Sequence, residues 1–191
     1  MAKIIGDAAV KRANFDSREK IDQFYSKYSR NKRNIVLQHR PCFTKYDCDK
    51  TWREWDNETF NSLYNAVSKK FTEHNIVTVR GDDSYYTKCI ECQVMVYKNA
   101  DAIIGIHGAG MQNIMHMNPG TLLYEIVGKF DGRMLPLCGY HGPLSSLYGL
   151  HHAIYYYDWK VHQLEKPYHR LLNYQDIADH VYQFYKLTNK K

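Results

Sequence analysis

The stretch that decides the fold is DAIIGIHGAGMQN, residues 101–113, in which a short apolar run leads into three glycines and a histidine. The run is typical of a buried strand, and the residues after it predict a short helix. Glycines let backbone N–H groups approach anionic oxygens, and a helix N-terminus adds unpaired donors. The pattern predicts a phosphate-binding turn, with a tight turn around a packed histidine as the alternative. It is not the G-x-G-x-x-G fingerprint, because the glycines fall at 105, 108 and 110.

Outward from this stretch, apolar segments of strand length alternate with segments of helix length. Strands are predicted over 35–38, 76–79, 102–106, 121–126 and 153–157, and helices over 16–29, 57–74, 86–99, 111–117, 145–150 and 174–187. This alternation favours an α/β fold, a Rossmann-like parallel sheet with helices on both faces, which binds ligands at the carboxyl ends of its strands. We expect a helical extension over residues 1–33 and a Rossmann-like domain over 34–191.

Composition narrows the classes of partner. The net charge of +6 suits nucleic acid, a membrane surface or a phosphorylated small molecule. A nucleic-acid-binding domain is the less favoured alternative, because tyrosines such as those at 155–157 fall in a predicted strand, where they suit sheet packing. No apolar run approaches the roughly 20 residues of a bilayer helix, so no membrane span is expected. The compartment stays open between the cytoplasm and, for a piece of a longer secretory enzyme, the lumen of the endoplasmic reticulum or Golgi.

The chain has five cysteines, an odd number that cannot pair completely within one chain. Cys89 and Cys92 form a C-x-x-C pattern, which suits a redox pair or, together with Cys42 and Cys48, a zinc site. The preferred interpretation is two thiols on one face of the helix predicted over 86–99.

A wider set of motifs accompanies the glycine-rich stretch. HGAGMQN at 107–113 is followed by NPG at 118–120 and by LLYEI, which contains Glu125. This string resembles the C-terminal half of the family 61 glycosyltransferases, a family that includes extracellular N-acetylglucosaminyltransferases of animals and xylosyl- and arabinosyltransferases of plants. The resemblance extends from about residue 34 to 187. It also covers Gln93, Ala100-Asp101, Arg40, Arg53 and Asn57-Glu58.

The resemblance implies a donor-binding site for a nucleotide-sugar. A histidine, the backbone of the glycine-rich turn and an asparagine would hold the diphosphate, two arginines would neutralise its charge, and a carboxylate would accept hydrogen bonds from ribose hydroxyls. These residues are His107, Gly108, Ala109, Gly110, Asn113, Arg40, Arg53 and Glu125. The alternatives are solvated loop cations for the arginines and a surface charge at a strand end for Glu125.

The implied reaction is inverting transfer of a sugar, with UDP as the expected nucleotide, to a hydroxyl of a glycan or protein acceptor. No cofactor and no metal are expected, since the turn, the helix N-terminus and the arginines supply the charge that a metal would otherwise supply. Asp82-Asp83 is interpreted as a solvated turn. The catalytic base is not assigned; His141, His151 and His152 are candidates by location only and are equally interpreted as surface residues.

The chain resembles one lobe of a two-lobed GT-B glycosyltransferase. It departs from the family at Met111-Gln112 and His116-Met117, and it resembles the donor-binding lobe only. We therefore expect transfer to depend on a second lobe or subunit. A non-catalytic module that binds a nucleotide-sugar is the alternative function.

Overall fold

A computed structural model describes residues 18–41, 55–129, 141–158 and 172–189. Within them, five strands form one sheet in the order β2-β1-β3-β4-β5, and all neighbours are parallel. The strands are β1 (Arg33–His39), β2 (His74–Arg80), β3 (Ala100–Ile106), β4 (Leu122–Lys129) and β5 (His151–Asp158). The predicted α/β fold with a Rossmann-like parallel sheet is confirmed.

Helices cover both faces of the sheet. They are α1 (Arg18–Tyr25), α2 (Asn57–Lys70), α3 (Ser84–Thr87), α4 (Ile90–Lys98), the 3-10 helix Ala109–His116, α5 (His141–Leu147) and α6 (Tyr174–Thr188). Helices α2 and α6 pack against one face, whereas α1, α4 and the 3-10 helix pack against the other. The sheet is therefore the middle layer of three.

The two faces explain why β3 is apolar at nearly every position. Ile104 and Ile106 belong to the core under α2 and α6, while Ile103 belongs to the core under α4 and the 3-10 helix. Successive side chains of a strand point to opposite faces, so a strand covered on both sides must be apolar throughout. This strand positions the glycine-rich turn that follows it.

The strand order creates a switch point between β1 and β3. The chain leaves β1 towards β2 on one side, and it leaves β3 towards β4 on the other. In open parallel sheets, ligands bind in the crevice at the carboxyl ends of two such strands. In this chain that crevice lies between the ends of β1 at His39 and β3 at Ile106.

Some predicted boundaries differ from the structure. The helix predicted over 86–99 is two helices, α3 and α4, because Cys89 adopts an extended conformation and its sulfur accepts the N–H of Cys92 as the N-cap of α4. The helix predicted over 57–74 is α2, which begins at Asn57 and ends four residues early, at Lys70; its cap is Asp56, whose carboxylate accepts the N–H of Thr59 at 2.6 Å. The predicted helix over 145–150 is α5, which begins four residues earlier.

Helix α1 lies on the domain and not apart from it. Ile21 packs against Val94 and Met95 of α4, and the Tyr25 hydroxyl donates to the Met95 carbonyl at 3.3 Å. The division at residue 33 stays a prediction. None of the helices in the described ranges combines the length and apolarity that a bilayer crossing requires.

Candidate functional site

A pocket of about 370 Å³ opens at the carboxyl ends of β1, β2 and β3. It therefore occupies the switch point. Among the predicted donor-binding residues whose placement the structure describes in full, Arg40, His107, Gly108 and Asn113 line it. A larger cavity of about 650 Å³ lies at the amino ends of the strands, near Asn34 and Asn75, and the described part of its wall contains none of the predicted donor-binding residues.

The glycine-rich turn forms one wall of this pocket. The His107 N–H donates to the Ile126 carbonyl at 3.1 Å, which holds the turn against β4. The 3-10 helix then starts at Ala109, and its first bond runs from the Met111 N–H to the Gly108 carbonyl at 3.0 Å. The N–H groups of Ala109 and Gly110 precede that bond and have no acceptor within the helix. This arrangement suits an anion.

Gly105 lets the 3-10 helix lie close to the sheet. A methyl group on this residue would lie 2.9 Å from both Gln38 Cβ and Met111 Cε. Contacts that short do not occur, so a side chain here would push the helix away from β1 and β3. The first glycine of the turn therefore sets the position of the 3-10 helix.

Arg40 directly follows β1 and lines the pocket. A methyl group on Gly108 would lie 3.7 Å from Arg40 Nη1, so the guanidinium lies beside the turn. Its backbone is anchored: the Trp55 N–H donates to the Arg40 carbonyl at 3.0 Å, and His39 Nε2 lies 2.9 Å from the Trp55 carbonyl. Burial lowers the pKa of His39, so its ring donates to that carbonyl in the neutral form. The ring also stacks on Phe60.

Asn113 ties the 3-10 helix to the opposite wall. Its side-chain amide donates to Gln93 Oε1 at 3.3 Å, and Gln93 Nε2 donates to the carbonyls of Tyr86 and Thr87. These contacts join α3, α4 and the 3-10 helix around the pocket. Gln93, which belongs to the family resemblance, thus lines the pocket and links its walls.

Glu125 lies behind the turn, at the centre of a buried cluster with three histidines. Its Oε1 accepts from His107 Nδ1 at 2.9 Å and from His141 Nδ1 at 2.6 Å, while its Oε2 accepts from His152 Nε2 at 2.7 Å. The residue is 1% exposed. We call Glu125, His107, His141 and His152 the histidine cluster.

The cluster keeps the carboxylate ionised. Burial alone would raise the pKa of Glu125, but the hydrogen bonds from the three histidines outweigh that effect and hold its pKa well below the ordinary 4.5. A direct contact with ribose hydroxyls, predicted for Glu125, would require this carboxylate to become exposed and to give up existing bonds. In this arrangement Glu125 contacts His107 and not the pocket.

The histidines show where sequence interpretation was incomplete. His151 is exposed, as expected of a surface residue, but His141 is 1% exposed and His152 is half-buried. The surface interpretation is therefore wrong for His141. Its place at the start of α5 over the middle of β4 depends on packing between distant elements. The sequence held one indication for His152: successive side chains of a strand point to opposite faces, so His152 of β5 lies on the face opposite to the buried Ala153.

Other predicted residues have simpler outcomes. Arg53 lies outside the described residues, as do Cys42 and Cys48. Ala109 and Gly110 are described by their backbone only. Asp82 accepts two hydrogen bonds from Arg80, at 2.9 and 3.0 Å, in an exposed turn, which agrees with the interpretation of Asp82-Asp83 as a turn.

The C-x-x-C pattern forms a disulfide between Cys89 and Cys92. The preferred interpretation of two thiols on one helix face is wrong, because the first cysteine precedes α4 and caps it. Both residues are buried against Val96 and Tyr97. The covalent link closes the junction of α3 and α4 beside the pocket.

A doubly wound parallel sheet with a pocket at its switch point defines a Rossmann-like domain. The family model described as Glycosyltransferase 61 matches residues 8–124, which is more than half of the chain, and the chain belongs to this glycosyltransferase family. No curated protein matches the chain. The matched range contains Arg40, His107, Gly108 and Asn113, and it ends one residue before Glu125.

Proposed function

We propose that the chain is the donor-binding lobe of an inverting glycosyltransferase, and that the pocket at the switch point holds the diphosphate of a nucleotide-sugar, with UDP as the nucleotide. The observation that carries this proposal is the convergence of Arg40, His107, Gly108 and Asn113 on one pocket beside the N-terminus of the 3-10 helix. Membership of the glycosyltransferase family supports the same reaction class.

Each group has a role in departure of the nucleotide. As the bond from the sugar to the diphosphate breaks, negative charge grows on the phosphate oxygens. Arg40 offers two parallel N–H donors to them, and the first N–H groups of the 3-10 helix offer fixed dipoles. Groups already oriented towards the developing charge lower the barrier without reorganising. In this proposal they neutralise the diphosphate without a metal bound to it, as in enzymes of GT-B type.

The acceptor side of the reaction requires further elements. Transfer needs a base near the acceptor hydroxyl and a cleft that excludes water. The described pocket is open and offers no base with a defined role. We infer that a second lobe or subunit supplies the acceptor site, for a glycan or glycoprotein, and closes the cleft.

The test is UDP binding by calorimetry with Arg40→Ala, Arg40→Lys and the control Arg30→Ala. Arg40→Ala is expected to weaken binding by about 1.5–3 kcal/mol, roughly 10- to 150-fold, because a charge-assisted contact is lost. Arg40→Lys restores the charge but not the planar pair of donors, so recovery is partial. The control Arg30→Ala removes the same charge near the amino ends of the strands, where the Arg30 side chain is 87% exposed. It is expected to leave the affinity for UDP unchanged.

Normal UDP affinity in folded Arg40→Ala contradicts the assignment of the pocket. GDP and CMP serve as competitors in the same titration and report which nucleotide is preferred. Binding without UDP release, when the donor sugar, acceptors and the remainder of the native assembly are all present, would favour the non-catalytic module.

A further inference from the structure

The histidine cluster has the composition of a transition-metal site. One ligand atom from each of His107, Glu125 and His141 lies within 4.8 Å of the others, and all three residues are buried. Two imidazole nitrogens and one carboxylate oxygen are a donor set that divalent transition metals prefer, since imidazole suits zinc, copper, iron and nickel. Hard cations such as Mg²⁺ prefer oxygen ligands only.

The geometry places both imidazoles on a single carboxylate oxygen. His107 Nδ1 and His141 Nδ1 lie 2.9 and 2.6 Å from Glu125 Oε1. Ligand atoms of a tetrahedral zinc site, with bonds of about 2.1 Å, lie about 3.4 Å apart. An outward shift of about 0.5 Å for the His107 pair and about 0.8 Å for the His141 pair, within the reach of side-chain rotation, would admit an ion between the three ligand atoms.

His152 completes the arrangement from outside the ligand set. Its Nε2 donates to Glu125 Oε2 at 2.7 Å, so the second carboxylate oxygen is held while Oε1 faces the two Nδ1 atoms. Hydrogen bonds of this kind orient the ligands of metal sites and raise affinity. The site thus has three ligands and a fixed carboxylate.

Charge favours occupation by a cation. With neutral imidazoles, the four residues of the histidine cluster together carry one negative charge, and burial of charge is costly unless it is paired. A divalent ion compensates it. A proton added to one histidine is the competing way to compensate it, and the experiment below separates the two.

We propose that His107, His141 and Glu125 bind one divalent transition-metal ion, with zinc as the probe, and that His152 orients the carboxylate. The three protein ligands leave a fourth position open. The ion lies behind the pocket wall and touches the ring of His107, not the diphosphate.

The ion has a consequence for the pocket that rests on the proposed function. When His107 Nδ1 donates to Glu125, a neutral ring has only a lone pair at Nε2, which repels an anionic diphosphate. When Nδ1 binds a metal through its lone pair, the ring proton moves from Nδ1 to Nε2, which becomes a donor. His107 lines the pocket, so the ion would turn this ring into a donor without an additional proton.

Metal binding is tested on the intact chain without nucleotide. Protein treated with a chelator is titrated with Zn²⁺ against a chromophoric competitor, and parallel samples receive Co²⁺ for electronic spectra. We expect one tight ion per chain, a cobalt spectrum of nitrogen and oxygen ligands without thiolate bands, and a higher melting temperature with zinc. His141→Ala is expected to weaken zinc binding by on the order of 100-fold or more and to abolish the zinc-dependent rise.

The matched control is His151→Ala, which removes an exposed histidine from the same part of the chain and keeps the tight ion. Should His141→Ala fail to fold, X-ray absorption of the zinc-loaded native protein reads the ligands directly, and two imidazoles with oxygen support the site. No tight ion, thiolate ligation, or equal loss in His151→Ala overturns the proposal. Arg40→Ala is expected to keep the metal while it loses UDP, so failure of the metal site and failure of the proposed function give different results.

Discussion

The pocket and the histidine cluster lie on two sides of His107 and differ in the exposure of their charged groups. On one side lies the pocket, which Arg40, Gly108 and Asn113 line. On the other side lies the histidine cluster, where Glu125 is buried and both of its oxygens are bonded within the protein. The cation of the pocket, Arg40, is exposed, whereas the carboxylate of the cluster, Glu125, is buried. Changes in the cluster should therefore cost stability first, and changes in the pocket should cost binding.

The largest expected effect is that of Glu125→Gln. The amide cannot accept from histidines at both ends, so buried N–H groups lose their acceptor, and the free energy of unfolding is expected to fall by about 3 kcal/mol or more. Urea unfolding with a chelator present measures the loss without any contribution from metal. Glu73→Gln, which makes the same change at an exposed position, is expected to have little effect.

The pH dependence of the stability of Glu125→Gln tests whether the charge of Glu125 causes this loss. The folded pKa of Glu125 lies below its ordinary 4.5, so its stabilising effect is fully present above that value and is lost as pH falls towards the folded pKa. The stability gap between the native chain and Glu125→Gln should therefore narrow below pH 4.5. A gap that is constant down to acid unfolding would mean that packing, and not the carboxylate charge, holds the cluster.

A smaller effect on stability is expected for Gly105→Ala, which lies between the two regions. The methyl group would lie 2.9 Å from Met111 Cε, which can move, and 2.9 Å from Gln38 Cβ, which is fixed to β1. Overpacking of this kind costs about 1–3 kcal/mol. UDP affinity should fall as well, because the 3-10 helix must shift.

Gly142→Ala is the control for that substitution. Its methyl group would lie 3.8 Å from His152 Nδ1, which is an ordinary contact, so stability should stay within about 0.5 kcal/mol. Unchanged stability and UDP affinity in Gly105→Ala would show that the close approach of helix and sheet is not required.

Much of the fold follows from local sequence. The strands are short apolar runs and the helices are amphipathic, so both could be located from periodicity, and their alternation implies the parallel sheet. The strand order could not be read this way, because it depends on which apolar faces pack together. The break between α3 and α4 was also missed, since Cys89 caps α4 with its sulfur, a role that is more typical of serine or aspartate.

The candidate site, like the fold, could be predicted from the sequence only in part. Arg40, His107, Gly108 and Asn113 follow strand ends, and the carboxyl ends of parallel strands meet at one edge, so their convergence was predictable. The partners of Glu125 were not, because His141 and His152 lie 16 and 27 residues away in sequence. Only the register of β4 with β5 and the position of α5 bring them to the same carboxylate. Pairing across such distances is a property of packing and not of a motif.

The smallest effect on stability, and the sharpest test of the comparison, is expected for Gly108→Val. Gly108 has an extended backbone that other residues adopt, and a methyl group there would meet nothing closer than Arg40 Nη1 at 3.7 Å. The free energy of unfolding should therefore change by no more than about 0.5 kcal/mol. The larger side chain would nevertheless lie between the guanidinium and the turn, where the diphosphate is proposed to bind. UDP affinity should fall by about 10-fold, with Gly108→Ala intermediate, while zinc binding by the histidine cluster is retained. Calorimetry with each ligand on one preparation makes the comparison, and a Gly108→Val protein that binds UDP normally would place the anion site away from this turn.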